Sequence, residues 1–191
     1  MAQNPARRTA LVDAAIDVLA REGARGLTFR AVDVQAGVPA GTASNYFANR
    51  DDLLDQAARH IHHRFTPDPA VVAELLRAPR DRALVTALMH DLLRRIAADR
   101  AAYLAFLELR LEATRRPGIR ARLTDTVRDQ LEANIAYHLA EGLPGDRGTV
   151  VVLYLAMTGL IVEHLTLPDV LGVDGLAALI DTMVERIVPE R

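Results

Sequence analysis

Apolar positions along this chain recur at helical spacing almost from end to end. Leu11, Ala14, Ala15, Val18 and Leu19 fall at i, i+3, i+4, i+7 and i+8, one stripe of a helix. Asn4-Pro5 supplies its start, a capping side chain followed by a ring whose φ is preset for helix, and Gly23 its end. Phe29, Val32 and Ala36 mark a short second helix, with Thr28 as N-cap and Gly37 as a left-handed stop. Pro39 opens a third helix, expected over Ala40 to Phe47. Asn49 caps a fourth beginning at Arg50, with Asp51 and Asp52 in the first turn, where the helix dipole favours anions. Leu53, Leu54, Ala57, Ala58 and Ile61 give it one apolar face, and it ends near Phe65, before Pro67 and Pro69.

The pattern continues through a short helix at Asp68 to Leu76 and longer ones at 80–98, 101–115, 119–139, 147–165 and 176–187. Arg147 to Leu165 is apolar nearly all round; the run continues without turn signals for too long to be a strand, so it reads as a buried helix. Its apolar core, Val150 to Val162, is shorter than the roughly 20 residues of an ordinary membrane helix, so no membrane partner is expected. Nine or ten helices and no convincing strand predict an all-α fold.

Leu27 to Leu54 is the stretch that carries function. A short helix, a tight turn with Gly37, and a second short helix with small and polar residues is the helix-turn-helix pattern. The predicted organisation is therefore an N-terminal three-helix head at 1–49 on a helical-bundle body at 50–191, with the helix from Arg50 joining them. Charge fits this division weakly. Residues 1–64 hold eight Arg against seven acids, and residues 65–191 fifteen against eighteen, so a head of net +1 sits on a body of −3. The absence of Cys excludes disulfides and thiolate metal sites, and with no visible signal segment the chain reads as cytosolic.

Gly37-Val38, Gly41-Thr42, Tyr46-Phe47, Arg50 and Leu53-Leu54, in that order and spacing, resemble the signature of the tetracycline-repressor (TetR) family of bacterial transcriptional regulators. The resemblance covers roughly residues 8–64; Leu107 to Arg122 is similar to a pattern in one branch of such bodies. Three positions depart from it. Ala43 stands where Leu is usual, Ser44 where Tyr is frequent, and Asp33 where a small residue packs between the two helices. An unpaired buried carboxylate is costly, so Asp33 either tilts out or finds a local donor.

A helix-turn-helix places its second helix in the DNA major groove, with backbone contacts positioning and base contacts specifying. The candidates for phosphate are Arg7, Arg8, Thr28, Thr42, Tyr46 and Arg50, and those for base edges Ala40, Gly41, Ser44 and Asn45, with Pro39 at the entry to the groove. Asparagine can pair with adenine and alanine can touch a thymine methyl. Thr28 serves equally as a plain cap, and Phe47 is read as core. The resemblance implies a homodimer, through helices at 147–165 and 174–187, on a double-stranded operator. It also implies a small-molecule effector held in the body between the fourth helix and the helices of 80–165. Met89, His90, Leu93, Tyr103, Phe106, Tyr137, Tyr154 and Met157 are the candidate lining, in keeping with an apolar or aromatic effector. His60 and His63 share a face, but no acidic partner lies at ligand spacing in the sequence, so no metal or other cofactor is expected. The competing reading is a helical small-molecule carrier or an enzyme. No nucleophile, metal or phosphate-loop motif supports the enzyme, and a carrier has no need of the Gly41 to Tyr46 pattern.

Overall fold

The computed structural model describes residues 4–171 and 175–190. Among these residues the chain forms ten α-helices and one 3-10 turn, with no strand. It divides into two compact units, Met1–Thr66 with Asp99–Thr126, and Pro67–Ala98 with Val127–Arg191. Packing thus groups the chain differently from the expected head at 1–49, because the fourth and seventh helices pack with the head helices.

The first unit is built on α1 (Pro5–Gly26), whose amide groups at Ala6 and Arg7 are capped by Asn4. Its predicted stripe is buried, with Leu11, Ala15, Val18 and Leu19 all at 0% exposure. That face packs against α2 (Phe29–Gln35), α4 (Arg50–Arg64) and α7 (Arg100–Ala113). The helix breaks at the expected Gly23, but one further turn follows before Leu27 leads into α2. The Glu108 carboxylate of α7 accepts the Ala24 amide just past the break, at 3.2 Å. The unit is completed by α3 (Thr42–Tyr46) and the first part of α8 (Pro117–Ala140).

The second unit holds α5 (Pro69–Leu75), α6 (Arg82–Ala98), the rest of α8, α9 (Arg147–Thr166) and α10 (Leu176–Ile187). A capping box at Asp146 and Thr149 opens α9. Ile180 and Val184 of α10 are fully covered, since α10 lies on α6 and α9. Leu176, Met183 and Ile187 of the same stripe are half-buried. Its predicted start at Asp174 lies outside the described residues. The exposed apolar residues of this unit are instead Val152 and Leu155 on α9, Tyr137 and Leu139 on α8, and Leu167 and Val170 after α9.

Candidate nucleic-acid interface

The turn between α2 and α3 follows from two glycines. Gly37 takes φ 63° and ends α2, and Gly41 takes φ 88°, which an L side chain rarely adopts. The second value explains why the recognition helix is shorter than the sequence pattern suggests. It starts at Thr42, not Ala40, because Pro39 to Gly41 form a turn closed by the Thr42 amide on the Pro39 carbonyl at 3.1 Å. Gly41 has no side chain to cap the helix it precedes. Asp33 takes that role from α2: its carboxylate accepts the Gly41 and Ala43 amides, each at 2.7 Å. The residue is 2% exposed, so of the two outcomes the sequence left open, the local donor is the one found. Ala43 and Phe47 complete the inner face of α3 at 0% and 2% exposure. Thr28 caps α2 through the Ala31 amide at 3.1 Å.

This base leaves Pro39, Ala40, Gly41, Ser44 and Asn45 exposed together, with Thr42 and Tyr46 half-buried beside them. The Ser44 hydroxyl donates to the Gly41 carbonyl at 2.8 Å and the Thr42 hydroxyl to that of Pro39 at 2.5 Å, which fixes both rotamers and leaves oxygen lone pairs outward. Arg7 is exposed on the first turn of α1. Arg8 is held inward, donating to Gln56 at 2.9 Å with its guanidinium 5.7 Å from the Tyr46 ring and 5.4 Å from that of Phe47. Arg50 is also engaged: it donates to the Leu27 carbonyl at 3.0 Å and to that of Ala24, and faces Glu112 at 3.8 Å. The structure thus gives Arg50 a corner to hold, and 29% of its side chain stays exposed. Asn49 caps α4 through the Asp52 amide at 2.9 Å, and Asp52 in turn accepts the Ala48 amide at 2.9 Å. Burial opposes ionisation of Asp52, but the bonds from Gln56 and Ala48, with the charges of Arg8 and Arg59, outweigh it and hold the carboxyl below its usual range.

The effector candidates fall in both units. In the first, Tyr103 and Phe106 are buried on α7, their rings 6.1 Å apart, with Phe65 6.0 Å from Tyr103 and His62 edge-on to Phe106 at 5.3 Å. In the second, Met89, His90 and Leu93 lie on α6, Tyr137 on α8, and Tyr154 and Met157 on α9. His90 pairs with Asp181 at 2.7 Å, Tyr137 is exposed and Met157 is buried. A small cleft of about 10 Å³ in the first unit, lined by Leu54, Ala58, Leu109 and Leu123 among others, includes none of them. His60 does have an acidic partner, which the sequence reading missed because it comes from another helix: Asp13 of α1, at 2.8 Å. Among the described residues no group of three His, Cys, Asp or Glu is placed to hold a metal.

The profile of the tetR family of bacterial regulatory proteins matches residues 11–57, and that of the tetracyclin repressor-like C-terminal domain residues 80–190. The chain belongs to the TetR family. Among similar TetR-family relatives, the HTH-type transcriptional regulator BetI of Agrobacterium fabrum is 28% identical over 93% of this chain and 85% of its own length. BetI of Rhizobium meliloti is 32% identical over 74% of this chain and 68% of that protein. A TetR-family structure from Streptomyces coelicolor superposes with TM-score 0.74 at 28% identity, covering 97% of this chain and 99% of the other. The multidrug binding protein EbrR, complexed with imidazole, gives 0.69 at 27%, covering 98% of each chain. The protein is thus a ligand-responsive DNA-binding transcriptional regulator, and the enzyme and carrier readings fall away.

Two features of this TetR-family regulator bear on its behaviour in solution. By length and composition α9, at 20 residues, would suffice to cross a membrane, longer than the apolar run alone indicates. Its place inside the C-terminal domain match gives it a role in the bundle instead. His62 is the second feature: its Nε2 is buried without a hydrogen-bond partner, and burial pushes the imidazole below its ordinary 6.5. As pH falls through 6.5 the unfolded chain takes up a proton that folded His62 resists, so its share of stability is full above that pH and lost below it. The melting temperature is expected to drop more between pH 7.5 and 5.5 for wild type than for His62→Leu; equal drops would sink this assignment.

Proposed function

We propose that the protein is a cytoplasmic, homodimeric bacterial repressor, released from a palindromic operator by a small apolar or aromatic effector. The observation that carries the DNA half is the exposed set Ala40 and Gly41 on the turn and Ser44 and Asn45 on the helix it opens, whose inner face is anchored by Asp33, Ala43 and Phe47. Ser44 and Asn45 read base edges, while Arg7, Thr28, Thr42 and Tyr46 take phosphates. Arg8 and Arg50 support the head from within. One such head covers few bases, so two are needed, on half-sites about 34–36 Å apart or a multiple of that.

The effector half draws on the structural relatives. EbrR has been captured with ethidium, malachite green and proflavin as well as imidazole, all aromatic. Such a ligand has candidate contacts within each unit: Tyr103 and Phe106 on α7 of the first, and Met89, His90, Leu93, Tyr137, Tyr154 and Met157 on α6, α8 and α9 of the second. Release from DNA requires that the effector bind one conformation of the dimer better than the other; occupancy alone moves nothing.

The decisive experiment is selection from a random duplex pool with purified protein. An inverted repeat should be enriched, its affinity should fall steeply with salt, and Asn45→Ala should weaken it by about 1–3 kcal/mol. No enrichment, or binding indifferent to sequence, would overturn the proposal.

A further inference from the structure

Asp33 is buried, yet it holds the helix that presents the reading residues. We infer that Asp33 is a positioning residue for operator recognition: its carboxylate, reaching across the turn, fixes where α3 begins and so where Ser44 and Asn45 stand. The inference rests on the DNA-binding reading above and deepens it.

The recognition helix has five residues, far below the length at which a helix holds itself together in water. Its own N-cap, Gly41, contributes no side-chain bond. Asp33 supplies one oxygen to each of two amides at 2.7 Å, a two-point grip that fixes orientation as well as distance. Asp33 is itself pinned, because its main-chain carbonyl accepts the Val38 amide at 3.0 Å. The Ala43 end of the grip is buried, so water cannot take over that bond. Ser44 and Asn45 are the next two residues and are exposed. Any drift of the helix start is therefore passed directly to the base-reading side chains, whose hydrogen bonds depend on placement. A carboxylate at a helix N-terminus also suits the dipole, which adds to the grip.

Asparagine separates this role from simple filling of space. It has the shape of aspartate but only one acceptor oxygen, and its NH₂ would meet an amide donor. Wild type, Asp33→Asn and Asp33→Ala are to be titrated against the duplex selected by wild type and against a scrambled duplex of equal length. Both variants are expected to bind the selected duplex about tenfold or more weakly, and the scrambled one as wild type does, so the specificity ratio falls. In nuclear magnetic resonance spectra the Gly41 and Ala43 amide protons should lie downfield in wild type and move upfield in Asp33→Asn.

Asp33→Asn binding like wild type would overturn the inference, as would equal losses on both duplexes. So would Gly41 and Ala43 amides in wild type that exchange with solvent at open-chain rates. That last measurement needs no variant and can overturn the inference even if the substituted proteins fail to fold. A wild-type protein that cannot tell the two duplexes apart would remove the DNA reading itself, an outcome plainly distinct from tolerance of Asp33→Asn.

Discussion

Replacing Leu155 with aspartate is expected to turn a dimer into a monomer and, with it, to abolish tight operator binding. Leu155 is 61% exposed and Val152 49% exposed, on a helix that buries Val150, Leu153, Met157, Leu160, Ile161 and Leu165 within the protomer. One turn further on, Gly159 is exposed and opens onto free space, so a second helix can approach closely there. Two-fold packing of α9 on its copy would cover these residues and put each Leu155 close to the axis. A buried carboxylate without a partner costs about 3–5 kcal/mol, and two-fold symmetry introduces it twice. The dimer constant should therefore weaken by at least about a hundredfold. The protomer should keep its fold, because a surface substitution of this kind shifts stability by only about 0.5 kcal/mol. Sedimentation at micromolar concentration decides the point: a Leu155→Asp protein that still sediments as a dimer would place the interface elsewhere. The parallel DNA titration should show the variant bound only weakly, because one head contributes few contacts.

The second large effect is expected at Arg50. Its guanidinium ties the start of α4 to the carbonyls of Ala24 and Leu27, at the corner where α1 passes into α2. Glu112 of α7 lies against it and against Arg116, whose Nε is 2.6 Å away, and Arg116 also reaches Asp51 at 2.9 Å. Methionine keeps the aliphatic stem but leaves two carbonyls without their donor and Glu112 with one cation fewer. The side chain is 29% exposed, so water recovers part of this. A loss of about 2 kcal/mol is expected in urea denaturation. The same variant tests which role Arg50 has. A phosphate contact would give a salt slope shallower by about one, with stability unchanged. A corner clamp gives lower stability, with the salt slope retained.

Much of this protein was legible in one dimension. The caps at Asn4, Thr28 and Asn49, the stop at Gly37 and the limits of α4 all follow from signals within a few residues of where they act. The helix-turn-helix was readable for the same reason: its glycines and its proline form one local unit. The start of α3 was misjudged because Pro39 is an equally good opening for a turn, and Gly41 at φ 88° takes that alternative. What Asp33, Arg50 and His60 do was hidden because their partners lie 8, 23 and 47 residues away along the chain. No local pattern marks a carboxylate that will cap a neighbouring helix, or an arginine that will face inward.

The sequence by itself determined the helices, the order in which they come and the family they spell, because helix periodicity and capping are short-range physics. It also determined which residues of the second short helix carry hydrogen-bonding groups suited to bases. Only the tertiary structure decided which polar residues look inward. Burial leaves no water to satisfy them, so each must meet a specific partner, and that partner is chosen by packing. Asp33 on Gly41 and Ala43, Arg50 on the Ala24–Leu27 corner, and Leu155 left uncovered on α9 are decisions of that kind.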